Sequence, residues 1–239
     1  MHFERPLAGW LLLTLSPCLL ASPAGGISLG QTRLIFPATE HAQSLSIKNT
    51  GSARYLVQSR VQKGIDDPSA APFMVTPPLL LLPGKSQQLL RVLYQGAELP
   101  EDREAVFYLA ITAVPAQTAE TFNDRKNTKL SLGIRFMTKL FYRPAGLTPS
   151  HADAICRLQF QHTKQTLHAH NPTPYYITLG TLNFAGKALD LAAREPMLAP
   201  YASADFPTST STGQVQWQAI TDHGGLSSPC IANVQWKQP

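Results

Sequence analysis

Short runs in which apolar and polar residues alternate cover most of the chain. This period-two alternation is typical of β-strands with one buried face, and the three-and-four spacing of helices is nearly missing. Asn, Gly, Asp and Pro residues separate the runs and indicate turns. In the first half the predicted strands are Thr32–Phe36, Ser44–Asn49, Tyr55–Val61, Phe73–Thr76, Ser86–Tyr94, Ala105–Val114 and Lys129–Tyr142. In the second half they are Ile155–Gln161, Leu167–Asn171, Tyr175–Leu182, Val215–Ile220 and Ile231–Trp236.

The spacing of these strands predicts the fold class. Short strands with turn signals every 8–12 residues or so are typical of an immunoglobulin-like sandwich. The 20 prolines favour strands and turns over helices. Composition shifts at Arg143–Gly146, which we interpret as the domain boundary. The sequence therefore predicts an all-β chain of two β-sandwich domains, an N-terminal one at 25–144 and a C-terminal one at 145–239.

Residues 1–24 have the pattern of a secretory signal peptide. Arg5 carries positive charge ahead of the mostly apolar segment Leu7–Leu20, and Ser22–Ala24 offers small residues for cleavage. The apolar segment is too short to span a bilayer comfortably. We therefore predict export, with no membrane insertion after the signal is removed. Cys18 leaves a lipid-anchored alternative open.

Two cysteines remain in the predicted mature chain, Cys156 and Cys230. An even pair in an exported protein predicts one disulfide, which would join the beginning of the second half to its end. Their wide separation excludes a CxxC redox centre. Two unpaired buried thiols are the alternative interpretation.

The formal net charge of +5 is mildly basic, and the Lys and Arg residues are scattered along the chain. No nucleic-acid-binding motif is present, so we expect a soluble basic surface and no nucleic-acid partner.

The predicted strand Lys129–Tyr142 is the most informative segment. It is longer than a typical strand, and a polar stretch, 117–128, precedes it. The ordinary interpretation is that its apolar face packs into the sandwich core. However, a long edge of this kind aggregates unless a partner covers it, so a second use of its leading end is also open. The apolar residues on this face are Leu130, Leu132, Ile134 and Phe136.

Six segments in the same order resemble the periplasmic chaperones of the chaperone–usher pathway, and together they cover almost the whole mature chain. One departure lies at Ala110, where the family often has Asn. The segments are Ile27–Phe36, Val75–Pro78, Leu99–Glu104, Lys139–Ala145, Asn171–Tyr176 and Thr221–Gly225.

The resemblance implies a chaperone that lends a β-strand to an incomplete pilus subunit. Arg33 and Lys139 match the family's pair of cations that bind the subunit's C-terminal carboxylate. Leu130, Leu132, Ile134 and Phe136 would fill the groove of the subunit. The implied partners are pilus or fimbrial subunits, in 1:1 complexes, and an outer-membrane usher, and the implied location is the periplasm.

The resemblance also implies the domain geometry. The two domains would form a boomerang with a cleft between them, and Glu104, Arg143 and Asp222 match the family's interdomain charge network. The modest linker before the donor strand, 129–142, is similar to the short-loop branch of the family.

Other functions find less support in the residues. His162, His168 and His170 have the same parity, but no Cys, Asp or Glu stands beside them in a ligand spacing, so no metal site is predicted. No catalytic motif occurs, which predicts a protein that is not an enzyme and needs no cofactor. A pilin or adhesin and a secreted enzyme are the two alternatives to the chaperone.

Overall fold

The computed structural model describes residues 25–116, 132–163, 165–192, 196–209 and 213–236. The predicted signal peptide, the stretch 117–128 and Leu130 lie outside these residues. No helix within the described ranges is long and apolar enough to cross a membrane.

The first half folds into a sandwich of two sheets. One sheet has the order β1-β3-β7-β5 and the other has the order β2-β9-β8-β4-β6. The strands are β1 (Ile27–Leu29), β2 (Arg33–Pro37), β3 (Ala42–Asn49), β4 (Tyr55–Gln62), β5 (Phe73–Thr76), β6 (Leu79–Leu82), β7 (Ser86–Tyr94), β8 (Ala105–Pro115) and β9 (Ile134–Arg143).

The core of this sandwich comes from the inward-facing residues of both sheets. Phe36 and Leu140 from the second sheet meet Leu45, Ile47 and Leu90 from the first, and all five are fully buried. Each such side chain stabilises the fold by about 1.5–3 kcal/mol. The alternation of strands such as β3 and β4 is therefore explained by one face of the strand lining this core, whereas β8 is buried on both faces along Phe107–Ile111.

The second half forms a smaller β domain around Trp217, whose indole nitrogen donates to the Ile155 carbonyl at 3.0 Å. Its sheets have the orders β15-β11-β10-β18 and β13-β12-β16-β17, and β14 pairs with β12. The elements are α1 (His151–Ala154), a 3₁₀ turn (Ile155–Arg157), β10 (Gln159–Thr163), β11 (Thr166–His170), β12 (Ile177–Phe184), β13 (Lys187–Ala188), β14 (Met197–Leu198), β15 (Ser203–Pro207), β16 (Gln214–Ala219), β17 (Cys230–Asn233) and β18 (Gln235–Trp236).

The prediction of two β-sandwich domains is confirmed. The disulfide between Cys156 and Cys230 is formed and links the 3₁₀ turn to β17. In the chain-entropy model, closing a loop of this size stabilises the domain by about 4 kcal/mol. The predicted division at residues 144 and 145 falls between the two cores and stays a prediction.

Two of the predicted strands are wrong in part. Residues 155–157 form a 3₁₀ turn instead of the start of a strand, because α1 and the disulfide fix the chain here. Leu132 and Gly133 are described but lie outside any strand, so β9 starts at Ile134. Leu132 and Gly133, the first described residues of the predicted donor strand, therefore have no ladder partner.

Candidate functional site

Arg33 and Lys139 lie side by side. Strands β2 and β9 run parallel, and Arg33 is directly opposite Lys139 in their register. The next residues, Leu34 and Leu140, are buried in the core. Since successive side chains of a strand point to opposite faces, both cations project from the outer face of this sheet. That face looks toward the second domain.

The environment of Arg33 is mostly buried. Its Nη1 donates to the carbonyl of Ile220 at 3.1 Å, and its guanidinium carbon lies 5.7 Å from the centroid of the Phe141 ring. Burial lowers the pKa of Arg33, and the charges of Asp222 and Glu104 oppose that change. The buried Nε has no hydrogen-bond partner among the described residues. A buried donor left without an acceptor is costly, so this group favours an incoming acceptor.

A cleft of about 490 Å³ opens beside Arg33. Residues 30–35 and Gln43 line one side, and Asp222 and His223 of the second domain line the other. At the bottom the domains nearly touch: a Cβ at Gly224 would lie only 2.5 Å from Thr32 Oγ1. The backbone of Gly224 also has a positive φ of 85°, which favours glycine there. The loop Thr221–Gly225 therefore closes the cleft where only glycine fits.

Glu104, Arg143 and Asp222 form one charge network between the domains. Arg143 Nε donates to Glu104 Oε1 at 2.7 Å, and its two terminal nitrogens donate to the two oxygens of Asp222 at 2.7 and 2.8 Å. This fork geometry fixes direction as well as distance. The second oxygen of Glu104 accepts from the backbone N–H of Tyr176 at 2.9 Å. The network thus ties the end of β9 to two loops of the second domain.

The pKa values in the network follow from burial and pairing. Burial raises the pKa of Glu104, although the charge of Arg143 acts to lower it. Burial alone would raise the pKa of Asp222, but its hydrogen bonds to Arg143 lower it overall. Burial alone would lower the pKa of Arg143, and its bonds to Asp222 and the charge of Glu104 raise it instead. Arg143 therefore stays charged at any physiological pH.

Sequence reasoning missed several residues that hold the domains together. Phe141 stacks near Tyr176 with ring centroids 5.8 Å apart, and the Arg103 guanidinium lies 5.1 Å from the ring centroid of Tyr201. Phe141 is buried on the outer face because the second domain covers it. The consecutive residues Leu140, Phe141 and Tyr142 break the alternation of β9 and were the available signal for burial on both faces, but the neighbouring domain that causes it is visible only in the structure.

The buried side chain of Asn171 shapes the loop that receives Glu104. Its amide donates to the carbonyls of Tyr175 and Ala199 at 2.7 and 2.9 Å, and its oxygen accepts from the Thr173 hydroxyl at 2.7 Å. These bonds present the Pro174 carbonyl to the N–H of Glu104 at 2.8 Å. The segment Asn171–Tyr176 contributes to the family resemblance, but only the structure shows that it binds Glu104.

The leading half of β9 has one open edge. Strand β8 pairs with β9 from Ile134 to Tyr142, whereas β2 pairs with it only from Lys139 onward. Along residues 134–138, no strand of the described chain covers the other edge. The open edge therefore ends where the Arg33–Lys139 pair begins.

The apolar face of β9 leaves the core gradually. Leu140 is fully buried, Phe136 is partly buried against the core, Ile134 is 41% exposed and Leu132 is 69% exposed. All four have the same parity. The face that fills the core at one end of the strand is thus presented to solvent at the other, next to the open edge.

The structure is thus a two-domain β-sandwich in which Arg33 lines a cleft between the domains, Lys139 lies opposite Arg33 in the sheet, and the leading half of β9 has an open edge. The chain matches the family model of the pili and flagellar-assembly chaperone PapD N-terminal domain over residues 26–148. It matches the pili assembly chaperone PapD C-terminal domain over residues 153–230. The chain belongs to this family of pilus assembly chaperones.

Relatives and solved structures agree with this assignment. The chain is 34% identical over 207 residues to the probable fimbrial chaperone ElfD of Escherichia coli K12, which covers 85% of each chain. It is 33% identical to the chaperone FimC of the same strain, covering 92% of this chain and 89% of FimC. A chain of the Salmonella enterica complex of the SafA pilin with the SafB chaperone superposes with a TM-score of 0.77 at 32% identity, covering 89% of this chain and 98% of the other.

These findings also decide between the classes considered from the sequence. Members of the family are chaperones and not enzymes, so the secreted-enzyme alternative is set aside. The pilin or adhesin alternative is set aside on the same ground.

Within the described residues, no group of three or more His, Cys, Asp or Glu side chains could hold a metal ion.

Proposed function

We propose that this protein is a periplasmic chaperone that binds pilus subunits along the open edge of β9 and holds their C-terminal carboxylate at Arg33 and Lys139. The observation that carries the proposal is the coincidence of two features. The edge of β9 is open up to Thr138, and the two cations stand opposite each other at the next position. A strand added to this edge would meet the cations with its end.

The geometry sets the direction of the added strand. Strand β2 runs parallel to β9 and begins at Arg33. A subunit strand that lies in line with β2 and brings its C-terminus to Arg33 must also run parallel to β9. Its backbone would then continue the sheet, which is the recognition mode of β-strand addition, with chaperone–pilin pairs among its known cases.

Arg33 and Lys139 would fix the register of the added strand, which the apolar residues alone do not. A slip of two residues along the edge keeps the same side chains on the same face, so Leu132 and Ile134 alone do not fix the register. A carboxylate between Arg33 and Lys139 makes charge-assisted hydrogen bonds at one position only. It would also give the buried Nε of Arg33 an acceptor.

The apolar residues would contribute most of the buried area. Leu130, Leu132 and Ile134 would enter the groove of the subunit, each with about 1.5–3 kcal/mol of gross stabilisation. Ordering the edge and joining two molecules reduce the net value considerably. Phe136 already packs against the chaperone core, so we assign it a boundary role between the core and the subunit.

The partner and the compartment come from the relatives and the N-terminus. SafB is a chaperone whose structure holds the SafA pilin, which supports a pilus subunit as the partner here. The signal-peptide pattern of residues 1–24 and the periplasmic chaperone SfaE, 30% identical with a TM-score of 0.71, support the periplasm. Delivery of the subunit to an outer-membrane usher completes the proposed role, as expected for the short-loop branch of the family.

The test is a pair of double variants co-expressed with the cognate subunit. Arg33→Ala with Lys139→Ala should abolish the soluble 1:1 complex, because losing buried partners of a carboxylate costs about 2–5 kcal/mol. Lys48→Ala with Arg91→Ala is the matched control, since it removes the same two charges from exposed positions of the same sandwich. The control should keep the complex. An anchor variant that still co-purifies with the subunit at the wild-type level would refute the assignment of the cleft.

A further inference from the structure

His151 joins the interdomain network at a position that the sequence did not indicate. It is the first residue of α1, just after the hinge, and its Nδ1 lies 3.3 Å from Asp222 Oδ1. Only 11% of its side chain is exposed. The same oxygen of Asp222 accepts from Arg143 Nη2 at 2.8 Å. One carboxylate oxygen of Asp222 therefore lies against a nitrogen from each domain.

The groups that face His151 come from every element around it. Asp222 and the exposed His223 lie on the loop after β16, and both line a second cavity, of about 390 Å³, together with His151. The ring of Tyr175 meets the His151 ring edge-on, with centroids 5.2 Å apart. The charges of Arg143 from β9 and Arg33 from β2 also act on it, and Asp153 lies on its own helix.

Burial lowers the pKa of His151. The charge of Asp222 raises the pKa, whereas the charges of Arg143 and Arg33 lower it further. The ring is therefore neutral near pH 7, and it contacts Asp222 without placing a third cation beside the two arginines.

We propose that His151 is a positioning residue of the interdomain network, which orients Asp222 toward Arg143 while its ring is neutral and weakens that bridge when it is protonated. A charged His151 would give Asp222 a cationic partner within its own domain and would repel Arg143. The Asp222–Arg143 contact joins the two domains, so its weakening loosens their contact. The inference concerns the free chaperone and does not depend on subunit binding.

The sign of the pH effect follows from the lowered pKa. The closed arrangement binds the His151 proton less readily than a loosened or unfolded chain does. Acidification through the ordinary histidine range, near pH ~6.5, therefore favours the loosened form. A difference of one pKa unit between the two forms corresponds to about a tenfold change in their ratio.

Two measurements on the free mature chain test this inference. The first is an NMR titration of the His151 ring, identified by its loss in His151→Gln. The midpoint should lie below ~6.5, and Asp222→Asn should lower it further because the raising charge is removed. The second is the hydrogen-exchange protection of the Tyr176 amide, which donates across the interface to Glu104. Its protection should fall severalfold from pH 7.5 to 5.5, after correction for intrinsic exchange.

The matched variants separate positioning from a merely structural role. His151→Gln keeps a polar side chain that does not titrate, so its Tyr176 protection should fall much less than that of the wild type. His223→Gln removes the exposed histidine of the same cavity and should keep the wild-type fall. A His151 midpoint at or above the ordinary value overturns the inference. An equal loss of Tyr176 protection in wild type and His151→Gln overturns it too.

Discussion

The two halves of strand β9 place their even-numbered residues on the same face but meet different surroundings. Residues 139–142 have β8 on one edge and β2 on the other, and the second domain covers Phe141 on the outer face. Residues 134–138 have only β8 beside them among the described strands. The comparison teaches that one face of a strand packs into the core where its neighbouring strands are complete and is exposed to solvent, beside an open edge, where they stop.

The largest difference between the two halves of β9 should appear in folding stability, when a side chain of the buried half is shortened. Leu140→Ala removes a fully buried side chain and leaves a cavity, which should cost about 2–5 kcal/mol of unfolding free energy. Ile134→Ala, six residues earlier in the exposed half, should cost less than ~0.5 kcal/mol. Chemical denaturation of both variants measures the contrast. Equal losses of stability would mean that Ile134 belongs to the core.

A second difference should appear in subunit binding. Ile134→Ala and Leu132→Ala should each weaken the complex about tenfold to a hundredfold, because each removes a side chain that the subunit would bury. Leu89→Ala is the control, since Leu89 is 59% exposed on the other sheet. Titration calorimetry with a subunit made soluble for the purpose would measure the affinities. Unchanged affinity in both edge variants would show that this face does not enter the subunit.

A smaller effect concerns folding stability at acidic pH. The pKa of Asp222 is lowered in the folded chain, so its stabilisation exists above the ordinary Asp range, near ~3.9, and is lost as the pH falls through the lowered pKa. The stability difference between wild type and Asp222→Asn should therefore vanish at strongly acidic pH. Urea denaturation between pH 2.5 and 7 checks this, and a difference that persists at the lowest pH would contradict it.

Glu104 should affect the pH dependence of folding stability in the opposite direction from Asp222. Its pKa is raised by burial, so the folded chain binds its proton more readily than the unfolded chain does. Acidification through its range should therefore favour the folded state, and Glu104→Gln should remove that trend.

Much of the N-terminal sandwich could be predicted from the sequence, because its strands alternate cleanly and turn residues bound them. The exact spans of Phe73–Thr76 and Ser86–Tyr94 were predicted. Strand β6 was missed, since Leu79–Leu82 is a continuous apolar run without alternation. In the second domain, the predicted strand at Ile155 was wrong because the short helix and the disulfide override its β propensity.

Only those site residues that lie in the segments resembling the family could be predicted from the sequence. Arg33, Lys139, Glu104, Arg143 and Asp222 were named from the resemblance, and the structure brings them together as adjacent pairs. His151 could not be predicted, since a lone histidine after a proline turn carries no pattern. Its role depends on the distance to Asp222, which arises only when the two loops fold against each other.

Hydrogen exchange along β9 tests the central claim most directly. Alternate backbone N–H groups between Ile134 and Thr138 point to the open edge and should exchange rapidly in the free chaperone. In complex with a subunit, these amides should become strongly protected, while those of Leu140 and Phe141 should be protected in both states. Amides of residues 134–138 that stay unprotected in a stable complex would contradict the account, because no strand would then have been added at that edge.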